Sequence, residues 1–224
     1  MKESLISLRI TWSSSGYGFY WVGPHATIAG ISMSSPLAQS IADLSSADAS
    51  KRLAAAGEIY RLGRATAGSA ISDWWAESEL SSLLFGPNPA ITVGLAVQRD
   101  TFGKIRIANG TPRLAQVPPD QDAEEFELHF AEGISLDILT TREPGGLGVI
   151  AKYLAKFGEG NQQVEYRCAN VDRATQLLKD KFGVTPVYPT PRAGADGTRV
   201  NFFLVPSPDG DKVLIELYEW PSRS

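Results

Sequence analysis

Residues 158–184 read GEGNQQVEYRCANVDRATQLLKDKFGV, and residues 191–219 read PRAGADGTRVNFFLVPSPDGDKVLIELYE. Apolar and polar residues alternate in three parts of these stretches, which is the pattern of half-buried strands. The predicted strands are 162–168, 199–205 and 212–218. A helix is predicted over residues 171–182, because Asp172 lies near its start and Gly183 follows its end. This order, a strand, a helix and two more strands, corresponds to a βαβββ module of which three of the four strands are predicted.

A second β-rich region lies upstream of the first one. Residues 90–97 (AITVGLAV) predict a strand, and residues 101–108 predict a short helix that Asn109 and Gly110 end. Residues 125–131 (EFELHFA) and 134–140 (ISLDILT) alternate with period two around a Glu-Gly turn, which predicts a hairpin. The chain therefore contains two modules, 90–140 and 161–219, whose opening strands are about 70 residues apart.

The first 88 residues differ in character from the rest. Residues 5–12 (LISLRITW) predict a strand, whereas residues 36–85 have apolar residues at helical spacing among good helix formers. The GPNP sequence of residues 86–89 ends the helical region, because proline cannot continue a helix. We therefore divide the chain into an N-terminal extension, residues 1–88, helical with one or two short strands, and a β-rich domain, residues 89–224.

Composition excludes several classes of protein. The 224 residues carry a formal net charge of −4 and no dense run of lysine or arginine, so no nucleic-acid partner is predicted. No stretch approaches the roughly 20 apolar residues that a membrane span requires. The single cysteine, Cys168, cannot form an internal disulfide, as expected in a reducing compartment. We expect a cytoplasmic protein without a membrane or nucleic-acid partner.

Five segments resemble the methylmalonyl-CoA epimerase family of the vicinal oxygen chelate (glyoxalase/bleomycin-resistance) superfamily. In order, they are IAKYL at 150–154, GEG at 158–160, PRAGA at 191–195, GTRV at 197–200 and VLIEL at 213–217. A weaker match covers residues 91–97. The resemblance implies an α+β fold in which paired βαβββ modules form an open, curved, barrel-like sheet around a small-molecule cavity. It also implies a homodimer.

The resemblance also implies positions for a divalent metal, one on each of four strands. They fall on Thr92, Asp137, Gln163 and Glu216, so a hydroxyl and an amide stand where the family has two histidines. Hydroxyl and amide oxygens are poor ligands for cobalt, nickel or zinc. Asp137, Gln163 and Glu216 still offer hard oxygen ligands, so we expect either no metal, which we prefer, or weakly bound Mg²⁺ or Mn²⁺.

The remaining carboxylates are the candidates for chemistry. Asp137 and Glu216 lie mid-strand where barrel-facing residues converge, and Glu165 shares the face of Gln163 because residues two apart on a strand point the same way. Burial and mutual repulsion raise carboxyl pKa values, which suits groups that both accept and donate protons. We therefore predict Glu216, Asp137 and Glu165 as catalytic residues.

The predicted activity is that of a divergent epimerase, isomerase or lyase on a small carbonyl-containing metabolite, with a carboxylate removing a proton and the enolate stabilised. The predicted contacts with a small-molecule substrate are Gln163, Thr92, Arg192 and Phe202. Two alternatives remain open at the level of sequence. One is a metal-free protein that sequesters a small molecule, and the other is a specialised-metabolism catalyst of cyclisation or rearrangement.

Overall fold

The computed structural model describes residues 35–86, 88–208 and 210–220. The predicted strand at residues 5–12 lies outside this part of the chain. The helices are α1 (Pro36–Asp43), α2 (Ala49–Ala70), α3 (Ser78–Leu83), α4 (Arg99–Ala108), α5 (Val149–Phe157) and α6 (Val171–Phe182). Within the described ranges, no helix combines the length and apolar character needed to cross a bilayer.

Seven strands form one mixed, curled sheet. They are β1 (Ile91–Ala96), β2 (Glu124–His129), β3 (Ser135–Thr140), β4 (Gly160–Arg167), β5 (Arg192–Ala193), β6 (Arg199–Pro206) and β7 (Lys212–Glu219). Their order across the sheet is β2-β3-β1-β4-β7-β6-β5. The sheet closes half of a barrel, and the N-terminal helices pack against it. The predicted α+β class is confirmed.

The two modules meet at the centre of the sheet and are related by an approximate twofold. β1 and β4 pair antiparallel, with Gly94 opposite Gln163 and Thr92 opposite Glu165. β3 runs parallel to β1, as β7 runs parallel to β4. The strands that carry Asp137 and Glu216 therefore flank the central pair on its two sides. This arrangement directs side chains from both modules toward one concave face.

The first module contributes three strands to the sheet rather than four. A proline-rich connection, residues 112–121, borders β2 without joining the sheet as a strand. Its one backbone bond to β2 runs from the Ala115 N–H to the Glu125 carbonyl, at 2.9 Å. Pro112, Pro118 and Pro119 lack the N–H groups that a further ladder requires.

The main core lies on the convex side of the sheet, where α2 covers the central strands. Ala56 and Ile59 of α2 are fully buried with Val93 of β1 and Val164 of β4. Gly63 allows the close approach, since a Cβ atom there would lie 2.6 Å from a methyl carbon of Val93. Because the convex face is covered by helices, the concave face is left to form the cavity.

The last part of the predicted helical region, residues 71–85, is divided in two. A 3₁₀ segment, Ser72–Ala76, precedes α3, and Glu77 lies between them in an extended conformation. The Glu77 carboxylate accepts a 2.6 Å hydrogen bond from the Leu80 N–H, which caps α3 and starts a new helix there. Trp74 remains in the core, edge-to-face against Phe203 at 6.5 Å.

Candidate functional site

The concave face of the sheet encloses a cavity of about 590 Å³. Alternation along each strand decides which side chains reach it, because neighbours on a strand point to opposite faces. On β7, for example, Glu216 and Tyr218 line the cavity while Ile215 and Leu217 are buried in the convex core. The cavity therefore has a polar floor at the centre of the sheet.

Gln163 joins two buried carboxyls at this floor. Its Nε2 atom donates to Glu216 Oε2 at 2.7 Å and to Glu165 Oε1 at 3.1 Å. Glu165 and Glu216 lie directly opposite each other on β4 and β7. All three side chains are nearly inaccessible, with at most 9% of each residue exposed. The structure thus brings together three of the residues predicted from the sequence.

Gly94 makes room for this arrangement. A Cβ atom at this position would lie 2.5 Å from Gln163 Cγ and 3.1 Å from a methyl carbon of Leu139. The Gln163 side chain therefore lies across β1 in the space that another residue would occupy. A larger residue on β1 would displace the amide that holds the two glutamates.

Burial and mutual repulsion disfavour the charged forms of the two glutamates. Burial raises the pKa of Glu165 to about 8, although the hydrogen bond from Gln163 lowers it. The negative charges of Glu125 and Glu127 raise this pKa further. Burial and the charges of Glu165 and Glu125 hold the pKa of Glu216 well above its ordinary value, again opposed by Gln163. Both carboxyls therefore retain protons at a pH where surface glutamates have lost them.

Asp137 faces the same cavity from β3. Only 5% of the residue is exposed, and its Oδ1 atom has no hydrogen-bond partner among the described residues. Burial, followed by the charges of Glu125 and Glu165, holds the pKa of Asp137 well above its ordinary value. The third predicted catalytic residue is thus in the cavity with an acceptor atom available to a ligand.

Strand β2 adds two glutamates that were not predicted from the sequence. Glu125 and Glu127 line the cavity with His129, while Phe126 and Leu128 face the core. Burial raises the pKa of Glu125 to about 7, with further repulsion from nearby carboxylates. The alternation in EFELHFA carried the signal, since it gives this strand one acidic and one apolar face. It did not reveal that the acidic face lies opposite Asp137.

A β-bulge adds Gln162 to the cavity. The register of β1 and β4 shifts between Gly94, opposite Gln163, and Leu95, opposite Asn161, so Gln162 is the extra residue. Consecutive residues Gln162 and Gln163 consequently both line the cavity, as a bulge permits. The Oε1 atom of Gln162 is buried without a partner in the described part of the chain. No feature of the sequence marks this bulge.

Aromatic side chains and an arginine form part of the rim. Arg192 pairs with Asp120, and its guanidinium lies 4.8 Å from the ring centre of Tyr188. Phe202 packs edge-to-face against Tyr188 at 6.0 Å and lies opposite Glu216 on the neighbouring strand. Arg192 and Phe202 therefore both line the cavity, but the charge of Arg192 is already paired.

Thr92 is separated from the other predicted contact residues. It is buried opposite Glu165, yet it is not among the described residues that line the cavity.

Asp122, also near the cavity, has a structural role in the turn after β3. Its carboxylate accepts bonds from Thr141 Oγ1 at 2.6 Å and from the Arg142 N–H at 3.0 Å.

The residues do not fit the divalent metal that the resemblance implies. A cation bound by these three residues would require oxygen atoms from each of them. Gln163 instead directs its N–H groups at Glu165 and Glu216. In the described ranges, no three histidine, cysteine, aspartate or glutamate side chains are placed to share an ion. His129 pairs with Glu127 instead, at 3.0 Å. We derive no chemical step through a metal.

No protein-family model matches the chain, and no curated protein matches it. Among solved structures, methylmalonyl-CoA epimerase from Mycobacterium tuberculosis is 29% identical, with a TM-score of 0.47, over 58% of this chain and 86% of that one. The Streptomyces coelicolor enzyme, in complex with 2-nitronate-propionyl-CoA, is 24% identical, with a TM-score of 0.47, over 60% of this chain and 99% of that one.

A hypothetical protein from Bacillus halodurans C-125 is also similar. It is 24% identical, with a TM-score of 0.48, over 59% of this chain and 94% of that one. Over about 60% of its length, the chain is structurally similar to methylmalonyl-CoA epimerase of the vicinal oxygen chelate superfamily.

Proposed function

We propose that this protein is a proton-transfer enzyme, of the epimerase, isomerase or lyase type, acting on a small carbonyl-containing metabolite. The observation that carries the proposal is the buried pair Glu165 and Glu216, joined by the amide of Gln163 at the cavity floor. Neither glutamate forms a salt bridge with any described residue. Buried carboxyls without a cation exchange protons near neutral pH, as general acid–base catalysis requires.

The two glutamates differ in a way that assigns their roles. Gln163 donates the shorter bond to Glu216, at 2.7 Å against 3.1 Å for Glu165. A hydrogen bond to a carboxylate favours its ionised form, so we assign the ionised, proton-accepting role to Glu216. Glu165, with its pKa raised to about 8, holds the proton and serves as the acid.

In the proposed reaction, the Glu216 carboxylate removes a proton from the carbon beside the substrate carbonyl. The electron pair of that C–H bond moves into the carbonyl, and protonated Glu165 donates a hydrogen bond to the oxygen that becomes negative. Addition of a proton to the opposite face of the same carbon gives an epimer, and addition to another carbon gives an isomer. Loss of a β-substituent with its electron pair gives an alkene. The water-excluded floor strengthens the bond to the developing oxyanion.

Asp137 receives a binding role in this proposal rather than the catalytic role predicted from sequence. It lies three strands from Glu216, roughly 14 Å along a flat sheet at a strand spacing of about 4.8 Å. That span accommodates a small metabolite between the two side chains. The unpartnered Oδ1 atom accepts a hydrogen bond from the substrate and holds its far end.

Solvent deuterium exchange tests the proposal whatever the product of the reaction. The protein is incubated in D₂O with a panel of β-keto esters, amino ketones and methylmalonyl-CoA, and loss of the α-proton signal is followed by NMR. We expect exchange on at least one compound, reduced about 100-fold or more in Glu216→Gln and Glu165→Gln, in line with the contribution of a general acid or base. Glu58→Gln, on α2 and outside the cavity lining, is the matched control and retains the activity.

A binding protein is the second candidate, and the aromatic rim favours it. Tyr188, Phe202, Tyr218 and Trp220 all line the cavity, and such surfaces hold apolar ligands. Compounds of the panel that bind in the cavity with micromolar affinity, but never exchange, would contradict the enzyme and support sequestration. Exchange that survives in both Gln variants would remove the two glutamates from the mechanism.

A further inference from the structure

The cavity lining contains many more acidic than basic side chains. Eight acidic side chains line it, against two arginines, among the residues that the structure describes. Both arginines are already paired, Arg113 with Asp196 at 2.6 Å and Arg192 with Asp120. The lining therefore presents hydrogen-bond acceptors and acidic groups, rather than free cations, to whatever enters.

Two acceptor atoms in this cavity are buried without a donor in the described ranges. They are Asp137 Oδ1 and Gln162 Oε1, on residues that are 5% and 7% exposed. A buried acceptor without a partner destabilises the fold, so such atoms point to a missing donor. Gly94 of β1 pairs with Asp137 of β3 on one side and with Gln163 of β4, the neighbour of Gln162, on the other. The two acceptors therefore approach the cavity from strands β3 and β4, which are separated only by β1.

We infer that the substrate carries a cationic group with N–H donors, an organic ammonium or guanidinium, which binds between Asp137 and Gln162 and beside Glu125. This inference rests on the proposed function, because it names the substrate class of the same cavity. An ammonium brings up to three donors and a positive charge, so it satisfies both orphaned acceptors and offsets the repulsion among the carboxylates.

Other ligand classes fit this end of the cavity less well. An anion would add to the repulsion among the carboxylates, and an uncharged hydroxyl supplies a single donor. The rest of the ligand is apolar, since Phe202, Tyr218 and Trp220 line the cavity near Glu216. An apolar body that ends in an amine matches both parts of the lining.

Three isosteric probes test the charge preference directly. They are 4-phenylbutan-1-amine, 4-phenylbutan-1-ol and 4-phenylbutanoate, and their dissociation constants are measured by isothermal titration calorimetry at low salt and neutral pH. We expect the amine to bind about 10-fold or more tightly than the alcohol, since hydrogen bonds to charged groups contribute that much. The carboxylate should bind most weakly.

Two variants separate the proposed contacts from a general effect on folding. Asp137→Asn and Gln162→Leu should each weaken binding of the amine about 10-fold while leaving the alcohol nearly unchanged. Glu58→Gln is the control, because it removes one negative charge on α2, outside the cavity lining, at a side chain paired with Arg61. Its effect on amine binding should be small.

Several outcomes would overturn the inference. Equal affinities for the three probes, a preference for the carboxylate, or undiminished amine binding in Asp137→Asn and Gln162→Leu would each refute it. A titration with MnCl₂ alone forms a further arm, and tight binding of Mn²⁺ that excludes the amine would assign the acidic cluster to a metal. Equilibrium binding does not depend on turnover, so failure here is distinguishable from absence of deuterium exchange.

Discussion

Replacement of Glu165 by glutamine should alter how the stability of the protein depends on pH. Burial raises the pKa of Glu165 from the ordinary 4.5 to about 8, so the folded state holds a proton that the unfolded chain releases. Stability contributed by this proton is present below about pH 4.5 and is lost as pH rises toward 8. Wild-type protein should therefore become less stable between pH 5 and pH 8.

The size of the effect follows from the difference between 4.5 and about 8. At 1.36 kcal/mol per pH unit, that difference sets a ceiling of about 5 kcal/mol for the loss between these pH values. Glu165→Gln cannot ionise, and its Oε1 atom can still accept the bond from Gln163. The variant should match wild type near pH 5 and exceed it by about 2–5 kcal/mol at pH 8.

Urea unfolding monitored by tryptophan fluorescence at pH 5, 6, 7 and 8 measures this difference. With a slope of about 2 kcal/mol per molar urea, the variant midpoint at pH 8 should lie about 1–2 M above that of wild type. Glu58→Gln, whose carboxylate lies outside the core and pairs with Arg61, should show the wild-type pH profile between pH 5 and pH 8. Identical pH slopes for wild type and Glu165→Gln would refute the claim that this buried carboxyl is protonated in the folded state.

Two further predictions concern the support of the glutamate pair. Gly94→Ala should destabilise the protein by about 1–3 kcal/mol in urea unfolding, because the new Cβ atom would lie 2.5 Å from Gln163 Cγ. Gly103→Ala is the matched control, since a Cβ atom there would meet nothing within 4 Å, and it should be neutral or stabilising. Gln163→Leu removes the donor shared by Glu165 and Glu216, so NMR titration of the labelled carboxyls should show both pKa values moving upward; unchanged titration would contradict the bridging role.

The order of strands and helices could be predicted because it depends on local periodicity. Strands β4, β6 and β7 and helix α6 appear where alternation and the capping residues placed them, and α6 ends at Gly183 in a left-handed conformation, φ 65°. The resemblance to the epimerase family placed Asp137 and Glu216 on the cavity side. The last part of the predicted helical region, residues 71–85, was the exception, because a local cap at Glu77 divides it.

The environment of each site residue could not be predicted in the same way. Arg192 has its charge paired by Asp120, which is 72 residues away in sequence. Glu125 and Glu127 become part of the site only because β2 pairs with β3 beside Asp137. Such contacts depend on strand order and register, which periodicity does not encode.

The sequence by itself determined the fold class, because periodicity along single elements sets it. The resemblance to the epimerase family marked Asp137, Gln163 and Glu216 as site residues, and the two-residue period of a strand added Glu165. The tertiary structure decided that Gln163 bridges two glutamates through the space left at Gly94, that a bulge turns Gln162 into the cavity, and that Thr92 is outside its lining. Those features arise where separate strands meet, and burial there, rather than residue type, sets the protonation of the carboxyls.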